Sequence, residues 1–328
     1  MNKIQNTLKF TIIIPAYNSQ DYIEKAINSV LNQSYKNFEL IIVNDGSTDK
    51  TLDLINNFAA KDNRIRIFSK ENGGYVSAIR KGIENATGDY TIFLGSDDYL
   101  DSNILNELNN APIDNPDMFI FNTLQFNSEI NKFDIYSNID HFEYVNDDSF
   151  YENIRDIENG RGLLCNRDTS KAFKTTNLKQ LFYFGKYGVD ADDAFTMLFA
   201  RQYHKYCFLP VTGYYNFIRK DSVSAVEKSI DVKLDIIKVW TNYFNQIRHF
   251  SKINKFEKDF LFDSLKLITG IKNKCVFFLK NGRYIRKYKK YCLPWIKRYS
   301  KVGFSVKFSL SCPFTYHIIH KIYELFKK

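Results

Sequence analysis

The sequence predicts an α/β fold: a Rossmann-like, mostly parallel sheet with helices on both faces, followed by a basic helical C-terminal region. Two observations predict it. Short β-branched apolar runs alternate with amphipathic helix patterns over the first 110 of the 328 residues, and Lys and Arg concentrate in the last hundred. Alternating strands and helices favour a parallel sheet, because parallel neighbours need a crossover connection between them.

Four strands and three helices are predicted in the first 110 residues. The strands are "FTIIIP" (10–15), "FELIIV" (38–43), "RIRIFS" (64–69) and "YTIFL" (90–94). The helices repeat apolar residues every three or four positions, starting at Ile23, Leu52 and Val76. Ser47 or Thr48 is expected to cap the second helix.

Polar residues follow each of the four predicted strands. These clusters are Tyr17-Asn18, "NDGSTD" (44–49), "NGG" (72–74) and "SDD" (96–98). Ligands of parallel sheets bind beyond the carboxyl ends of the strands, so we expect the clusters to converge on one pocket. The adjacent acids of "SDD" are also compatible with an ordinary turn or helix cap.

The first turn, "PAYNSQ", has no glycine, which excludes the dinucleotide signature G-x-G-x-x-G, and no phosphate loop of the G-x-x-x-x-G-K-[ST] type occurs. Phosphate bound here would need another source of positive charge. Asp98 is expected to supply it by holding Mg²⁺ or Mn²⁺, which prefer oxygen ligands and substrate phosphates.

Cysteine usage and hydropathy favour a cytoplasmic protein. The five cysteines form no C-x-x-C pair, which indicates reduced thiols. No apolar run approaches the roughly 18 to 20 residues that span a bilayer, and the N-terminus does not read as a signal peptide.

The ordered motifs "IIIPAYN", "LIIVNDGSTD", "ENGGYVSAIRKGIENATGDY" and "FLGSDD" resemble the N-terminal half of a family 2 glycosyltransferase with the GT-A fold. The resemblance implies a nucleotide-sugar-binding half at residues 1–115, an acceptor-binding half at 116–228 and a further region at 229–328. By this resemblance Pro15, Ala16 and Tyr17 line the nucleotide base. Asp45 accepts a hydrogen bond from the uracil ring N–H, which favours a UDP-sugar donor, and Asn72 contacts the nucleotide again.

In the last of these motifs the resemblance implies that Asp97 holds the ribose hydroxyls and that Asp98 ligates the metal. Three positions depart from the family pattern: Asn44 and Gly95 replace common aspartates, and the family's arginine after "ENGG" is shifted by one place to Arg80. Whether Arg80 replaces that arginine or is an ordinary surface residue stays open.

The resemblance continues more weakly to about residue 225. "GKYGVDADDAFTMLFAR" is similar to the family's second acidic motif, which implies that Asp193 is the general base and Asp192 its partner; both can also be ordinary acids at a helix N-terminus. "YYNFIRKDSVS" is similar to a closing loop in which Arg219, Ser222 and Ser224 contact the diphosphate.

The function implied is that of a metal-dependent, inverting hexosyltransferase. It would transfer sugar from a nucleotide sugar to a saccharide or polyprenyl-linked saccharide, in assembly of a bacterial surface polysaccharide such as capsule or lipopolysaccharide. A sugar-phosphate nucleotidyltransferase is one alternative, although its glycine-rich first loop is missing. A nucleotide-sugar-binding module that has lost catalysis is the other.

The C-terminal region is strongly basic. Residues 231–328 hold 22 Lys and Arg against 6 Asp and Glu, a net charge of +16, whereas the preceding residues carry −7. Aromatic residues interleaved with the cations favour peripheral contact with an anionic membrane, here the inner face of the plasma membrane. A solvated appendage and an oligomer contact remain alternatives, the oligomeric state is not specified, and no nucleic-acid motif is present.

Overall fold

The computed structural model describes residues 7–113, 115–127, 132–135, 137, 139–146, 167–181, 183, 185–186, 188, 190–218, 230–249 and 290. The chain divides into two compact units, Met1–Glu227 and Lys228–Lys328.

The first unit alternates strands and helices in its N-terminal half and becomes richer in strands afterwards. Its strands are β1 Phe10–Ala16, β2 Phe38–Asn44, β3 Ile65–Ser69, β4 Tyr90–Phe93, β5 Tyr99–Leu100, β6 Met118–Asn127, β7 Lys132–Ile135, β8 Glu143–Asn146, β9 Lys171–Lys174 and β10 Lys205–Ile218. Its helices are α1 Ile23–Leu31, α2 Thr51–Ala59, α3 Tyr75–Asn85, α4 Ile104–Asn110, α5 Thr175–Leu178 and α6 Ala191–Gln202.

Within the described residues these strands form one sheet in the order β3-β2-β1-β4-β9-β6-β10-β5, with β7 paired to β6 and β8 to β10. The half made of β3, β2, β1 and β4 is parallel throughout. Beyond it the sheet is mixed, because β9 runs antiparallel to both β4 and β6 while β6 and β10 are parallel. The predicted α/β class with a Rossmann-like parallel half is confirmed.

The central strands β1 and β2 are buried along their whole length and are apolar apart from Thr11, Glu39 and Asn44. Every residue of β1 and β2 is buried, as expected for a parallel sheet with helices on both faces. Helix α3 lies so close to β1 that a Cβ on Gly82 would come within 2.5 Å of Ile13 Cγ2. A glycine at this position therefore permits the helix to pack directly on the sheet.

One local expectation is wrong. Helix α2 begins at Thr51, whose N–H donates to Asp49 Oδ1 at 3.0 Å, whereas Ser47 or Thr48 is expected from sequence to cap it. Both residues instead bond to Asn18, at the end of β1: Ser47 Oγ accepts from the Asn18 N–H, and the Thr48 N–H donates to Asn18 Oδ1. Their hydrogen bonds join two turns of the sheet rather than starting a helix.

In the second unit the structure describes helix α7, Ile230–Gln246, followed by a 3₁₀ turn at Ile247–His249. The helix buries an apolar stripe that includes Ile236, Trp240 and Phe244. The remainder of the predicted basic region, apart from residue 290, lies outside the described residues. Among the described helices of the whole chain, none has the length and hydropathy to cross a membrane.

Candidate active site

The turns that follow the parallel strands meet at one edge of the sheet. Ser19, after β1, and Ser96, after β4, are joined through their hydroxyls at 2.7 Å. Asn18 is bonded to the turn after β2 through Ser47 at 3.1 Å and Thr48 at 2.9 Å. The expected convergence of polar turns beyond the strand ends is therefore present.

The predicted base-lining residues lie at the rim of this edge. Pro15 and Ala16 are the buried last residues of β1, while Tyr17, the next residue, is 50% exposed. Asn72 is exposed. Its backbone nitrogen would lie 2.8 Å from a Cβ on Gly46, whose φ is +73°. The turns after β2 and β3 are thus in close backbone contact.

Asp45 lies at the end of β2, is 3% exposed and accepts three hydrogen bonds. Its Oδ1 accepts from Lys70 Nζ at 2.5 Å and from the Gly73 N–H at 3.0 Å, and its Oδ2 accepts from the Gly74 N–H at 2.8 Å. A carboxylate offers about four lone-pair positions. One position on Oδ2 is therefore left for a ligand N–H.

Asp98, in contrast, is fully engaged by strand β10. Its Oδ2 accepts from the Tyr214 hydroxyl at 2.5 Å and its Oδ1 from the Phe217 N–H at 2.8 Å. The Asn216 amide nitrogen lies 3.1 Å from Oδ1 and 3.3 Å from Oδ2. Three donor groups of β10 thus contact the two carboxylate oxygens, and the Asn216 nitrogen is shared between them.

Burial, and then the neighbouring charge of Asp97, raise the pKa of Asp98 to about 6, against the hydrogen bonds from β10 that lower it. Asp97 is the more open of the two carboxylates, being half-buried. Gly95 explains how both fit: a Cβ there would lie 2.6 Å from Asp98 Oδ2 and 3.2 Å from Asp97 Oδ1. The glycine that replaces a common family aspartate therefore makes room for the pair.

A cation that bridges a diphosphate needs only one or two protein carboxylates, because waters and phosphate oxygens complete its shell. Asp97 fits this requirement at the carboxyl end of β4. Asp98 fits poorly, since a cation at its oxygens would have to displace donors from β10. Metal binding by Asp98 stays a prediction, and it would require these hydrogen bonds to be exchanged. Over the described part of the chain, no three His, Cys, Asp or Glu side chains form an all-protein metal site.

The second acidic motif occupies the first turn of α6. Asp192 and Asp193 are half-buried there, and the helix is entered through Asp190 in a left-handed conformation, with φ of 59°. Burial and then the charge of Asp190 raise the pKa of Asp193 to about 7. Burial and then the charge of Asp193 raise the pKa of Asp192 well above its usual range. Both carboxylates are therefore easier to protonate than an ordinary aspartate.

The approach to α6 is in contact with the turn after β3. The Val76 N–H donates to the Lys186 carbonyl at 3.4 Å, and a Cβ on Gly74 would collide with that same carbonyl oxygen. Gly188 lies against the Tyr75 ring, with its Cβ position 2.9 Å from Tyr75 Cδ1. The loop whose amides bind Asp45 is therefore in direct contact with the segment that leads to Asp192 and Asp193.

The remaining predicted residues divide into two groups. Arg80, on α3, donates from Nε to the Tyr183 carbonyl at 2.7 Å, and burial lowers the pKa of its guanidinium. It therefore anchors the segment before α6. Arg219, Ser222 and Ser224 lie outside the described residues.

Sequence reasoning missed the residues that hold the acidic side chains in place. Lys70 was not singled out, although its charge and its position before "ENGG" mark it as a partner for Asp45. Tyr214 and Asn216 alternate along β10, a period of two that places both on one face of the strand. That alternation was the available signal, but nothing in the sequence indicated that their partner is Asp98.

Comparison with known proteins gives consistent results. The model of the family described as Glycosyl transferase family 2 matches residues 11–182, more than half of the chain. The glycosyltransferase GlyA of Streptococcus pneumoniae is 32% identical over 186 residues, which cover 56% of this chain and 27% of GlyA. Chondroitin synthase of Pasteurella multocida is 47% identical over 91 residues, 28% of this chain and 9% of the synthase. The matches thus span only a minor part of these longer relatives.

Among solved structures, residues 1–349 of S. aureus TarS in complex with UDP-GlcNAc superimpose with a TM-score of 0.60 at 20% identity. The match covers 87% of this chain and 80% of that one. At this identity the likeness shows the fold. The family match, the motifs and the shared architecture agree, and the chain belongs to glycosyl transferase family 2.

Proposed function

We propose that this protein transfers a sugar from a UDP-sugar to a hydroxyl group of a saccharide acceptor, with inversion at the anomeric carbon. One observation carries the proposal: Asp193, a carboxylate with a pKa near neutrality, lies on a helix whose approach contacts the Asp45-binding loop. The relatives named as a chondroitin synthase and TarS, the latter bound to UDP-GlcNAc, support a UDP-linked donor and a polysaccharide product.

The donor base would lie between Tyr17 and Asp45. The exposed Tyr17 ring offers a stacking surface, and Asp45 offers one unused lone pair to a ring N–H. An ionised carboxylate accepts and does not donate, so it suits the imide N–H of uracil. Asn72, exposed beside Gly46, would contact the nucleotide from the next turn.

The diphosphate would lie over the turn after β4. There Asp97 would hold Mn²⁺ or Mg²⁺, in place of its predicted contact with the ribose hydroxyls. The bound cation supplies positive charge that stabilises the departing diphosphate. Asp98 would act indirectly, because its hydrogen bonds with Tyr214 and Asn216 fix this turn to β10.

Asp193 would be the general base. An acceptor hydroxyl scarcely ionises at pH 7, so a carboxylate must remove its proton during attack on the anomeric carbon. A base with a pKa near 7 binds that proton more strongly than an ordinary aspartate. Asp192 would be its supporting partner. Loss of such a base typically lowers the rate by about 10²- to 10⁴-fold.

A thermal-shift panel of nucleotides and nucleotide sugars, with Mn²⁺ and with chelator, tests donor binding. UDP-sugars should stabilise the protein more than GDP- or ADP-sugars. Release of UDP in the presence of saccharide acceptors tests transfer. Asp193→Asn should lose turnover while keeping the UDP-induced shift, and Asp53→Asn, at an exposed site on α2, is the matched control. Wild-type turnover by Asp193→Asn would refute the assignment.

We also propose that the basic region 229–328 contacts an anionic membrane surface, where a lipid-linked acceptor would be available. Its net positive charge and interleaved aromatic residues support this. The full-length chain should sediment with phosphatidylglycerol vesicles at low salt and be released at high salt. Equal binding to neutral phosphatidylcholine vesicles would contradict the proposal.

A further inference from the structure

A buried carboxylate that the proposed chemistry does not use lies between the donor loop and the catalytic helix. Asp168, three residues before β9, is 1% exposed. Its Oδ2 accepts from the Tyr183 hydroxyl at 2.6 Å and from the Tyr75 hydroxyl at 3.0 Å. Burying a carboxylate is unfavourable, and these two donors come from separate parts of the fold. Asp168 therefore links two segments at one oxygen.

One of these segments is the donor loop. Tyr75 is the first residue of α3 and directly follows Gly73 and Gly74, whose amides donate to Asp45. Fixing the Tyr75 hydroxyl thus fixes the end of the loop that orients the proposed uracil acceptor.

The other segment supports the catalytic helix. The Tyr183 ring stacks on Phe195 of α6, with ring centroids 4.4 Å apart and an interplanar angle of 16°. Phe195 is two residues after Asp193. The Tyr183 carbonyl is also the acceptor for Arg80. Holding the Tyr183 hydroxyl therefore constrains the helix turn that presents the base.

We propose that Asp168 is a positioning residue for the transfer reaction, which joins the donor loop through Tyr75 to the base-bearing helix through Tyr183. This inference rests on the proposed function of the same site. Asp168 does not touch the reacting atoms in this account. It acts through the two tyrosines and through its negative charge.

The electrostatics of the site agree with this geometry. After burial, the pKa of Asp193 is raised by the charges of Asp190 and Asp168 and lowered by those of Arg167 and Lys171. The Asp168 charge also raises the pKa of Asp192. Burial raises the pKa of Asp168 itself, and its hydrogen bonds from the two tyrosines oppose that rise. An ionised Asp168 would thus make the neighbouring base stronger.

Asp168→Asn keeps the shape of the side chain and removes its charge. The acidic limb of the kcat–pH profile should move to lower pH by about one unit, because a like charge is lost near the base. At the optimum, kcat should fall by about three- to tenfold, since a weaker base accepts the proton less readily. Glu39→Gln, another buried carboxylate, which accepts from Thr11, Thr87 and Arg66, should leave the limb in place. A limb unmoved by Asp168→Asn overturns the proposal.

Variants of the two tyrosines distinguish a positioning role of Asp168 from general destabilisation. They also test the proposal if Asp168→Asn does not fold. Tyr75→Phe should mainly raise the KM for the donor, whereas Tyr183→Phe should mainly lower kcat. Tyr90→Phe, which removes a buried hydroxyl that donates to the Pro116 carbonyl at 2.7 Å, should change neither. Equal effects of Tyr75→Phe and Tyr183→Phe on both constants would refute the link.

A titration independent of turnover distinguishes this proposal from the proposed function. Carbon-13 carboxyl NMR of aspartate-labelled protein follows Asp193, assigned by its loss in Asp193→Asn. Its midpoint should be lower in Asp168→Asn than in wild type. Absence of sugar transfer with a lowered midpoint would reject the proposed function alone. An unchanged midpoint would reject the electrostatic role of Asp168 whatever the reaction.

Discussion

Replacing Asp193 by asparagine should remove catalysis and, at the same time, stabilise the folded protein at alkaline pH. Burial and neighbouring carboxylates raise the pKa of Asp193 from 3.8 to about 7. A folded-state pKa above the unfolded one means that the folded protein binds the proton more tightly. Stability is therefore lost as pH rises from about 4 to 7, and the loss is complete above pH 7. Asparagine cannot ionise and escapes this loss.

The size of the effect follows from the pKa difference. Each pKa unit corresponds to about 1.4 kcal/mol, so the full difference is about 4 kcal/mol. Asp193 is half-buried rather than fully buried, and solvent screens part of its charge. We therefore expect Asp193→Asn to gain about 2 kcal/mol at pH 8, and about half of that at pH 5.5. For a unit of this size 2 kcal/mol corresponds to a rise in Tm of about 4–8 °C.

Thermal melts of the wild type and Asp193→Asn at pH 5.5 and pH 8 measure the gain directly. Asp53→Asn removes an equal charge from an exposed position on α2 and controls for net charge. The reasoning fails if Asp193→Asn melts below the wild type at pH 8. It also fails if the difference between the two proteins is the same at both pH values.

Four further results are expected. Asp97→Asn should abolish the Mn²⁺-dependent part of the UDP-induced thermal shift, and a shift that still required Mn²⁺ would assign the cation elsewhere. Tyr214→Phe removes the donor to Asp98 and should lower the free energy of unfolding by about 1–3 kcal/mol in urea titrations; an unchanged midpoint would contradict the buried bond. Gly95→Ala places a methyl group 2.6 Å from Asp98 Oδ2 and should weaken UDP binding in calorimetry while the circular dichroism spectrum stays native. In the wild type, kcat should rise with pH to a plateau with a midpoint near 7, because only ionised Asp193 accepts a proton; a midpoint near 4 would contradict this.

The N-terminal half of the fold could be predicted because its signals are local. Strands β1 and β2 are apolar apart from Thr11, Glu39 and Asn44, and helix α1 between them repeats apolar residues at helical spacing. The later strands could not be predicted in the same way. Strand β9 is only four residues long, and β10 changes register twice against β6 between Leu209 and Tyr214. Their pairing depends on contacts between distant segments.

The candidate site, too, could be predicted from sequence only in part. Sequence placed polar residues after each parallel strand, and topology alone then brings those turns together. Residue spacing could not show which of the adjacent carboxylates Asp97 and Asp98 is hydrogen-bonded to a distant strand, because residues in a turn do not follow a fixed alternation. Asp98 is bound by Tyr214, 116 residues further along the chain, whose hydroxyl donates to Asp98 and accepts from the Gly95 N–H.

This arrangement has a consequence for how the site works. Strand β10 ends at Ile218, within the sequence "YYNFIRKDSVS" (214–224) that is similar to a closing loop. Asp98 bonds to the Asn216 side chain and to the Phe217 N–H, near the end of that strand. These hydrogen bonds join the Asp97–Asp98 turn to the last residues of β10. A carboxylate held by such hydrogen bonds keeps the turn in a fixed position relative to the strand. A carboxylate that ligates a cation must instead exchange its hydrogen-bond donors for the cation. Adjacent aspartates with these two environments can therefore divide the two tasks between them.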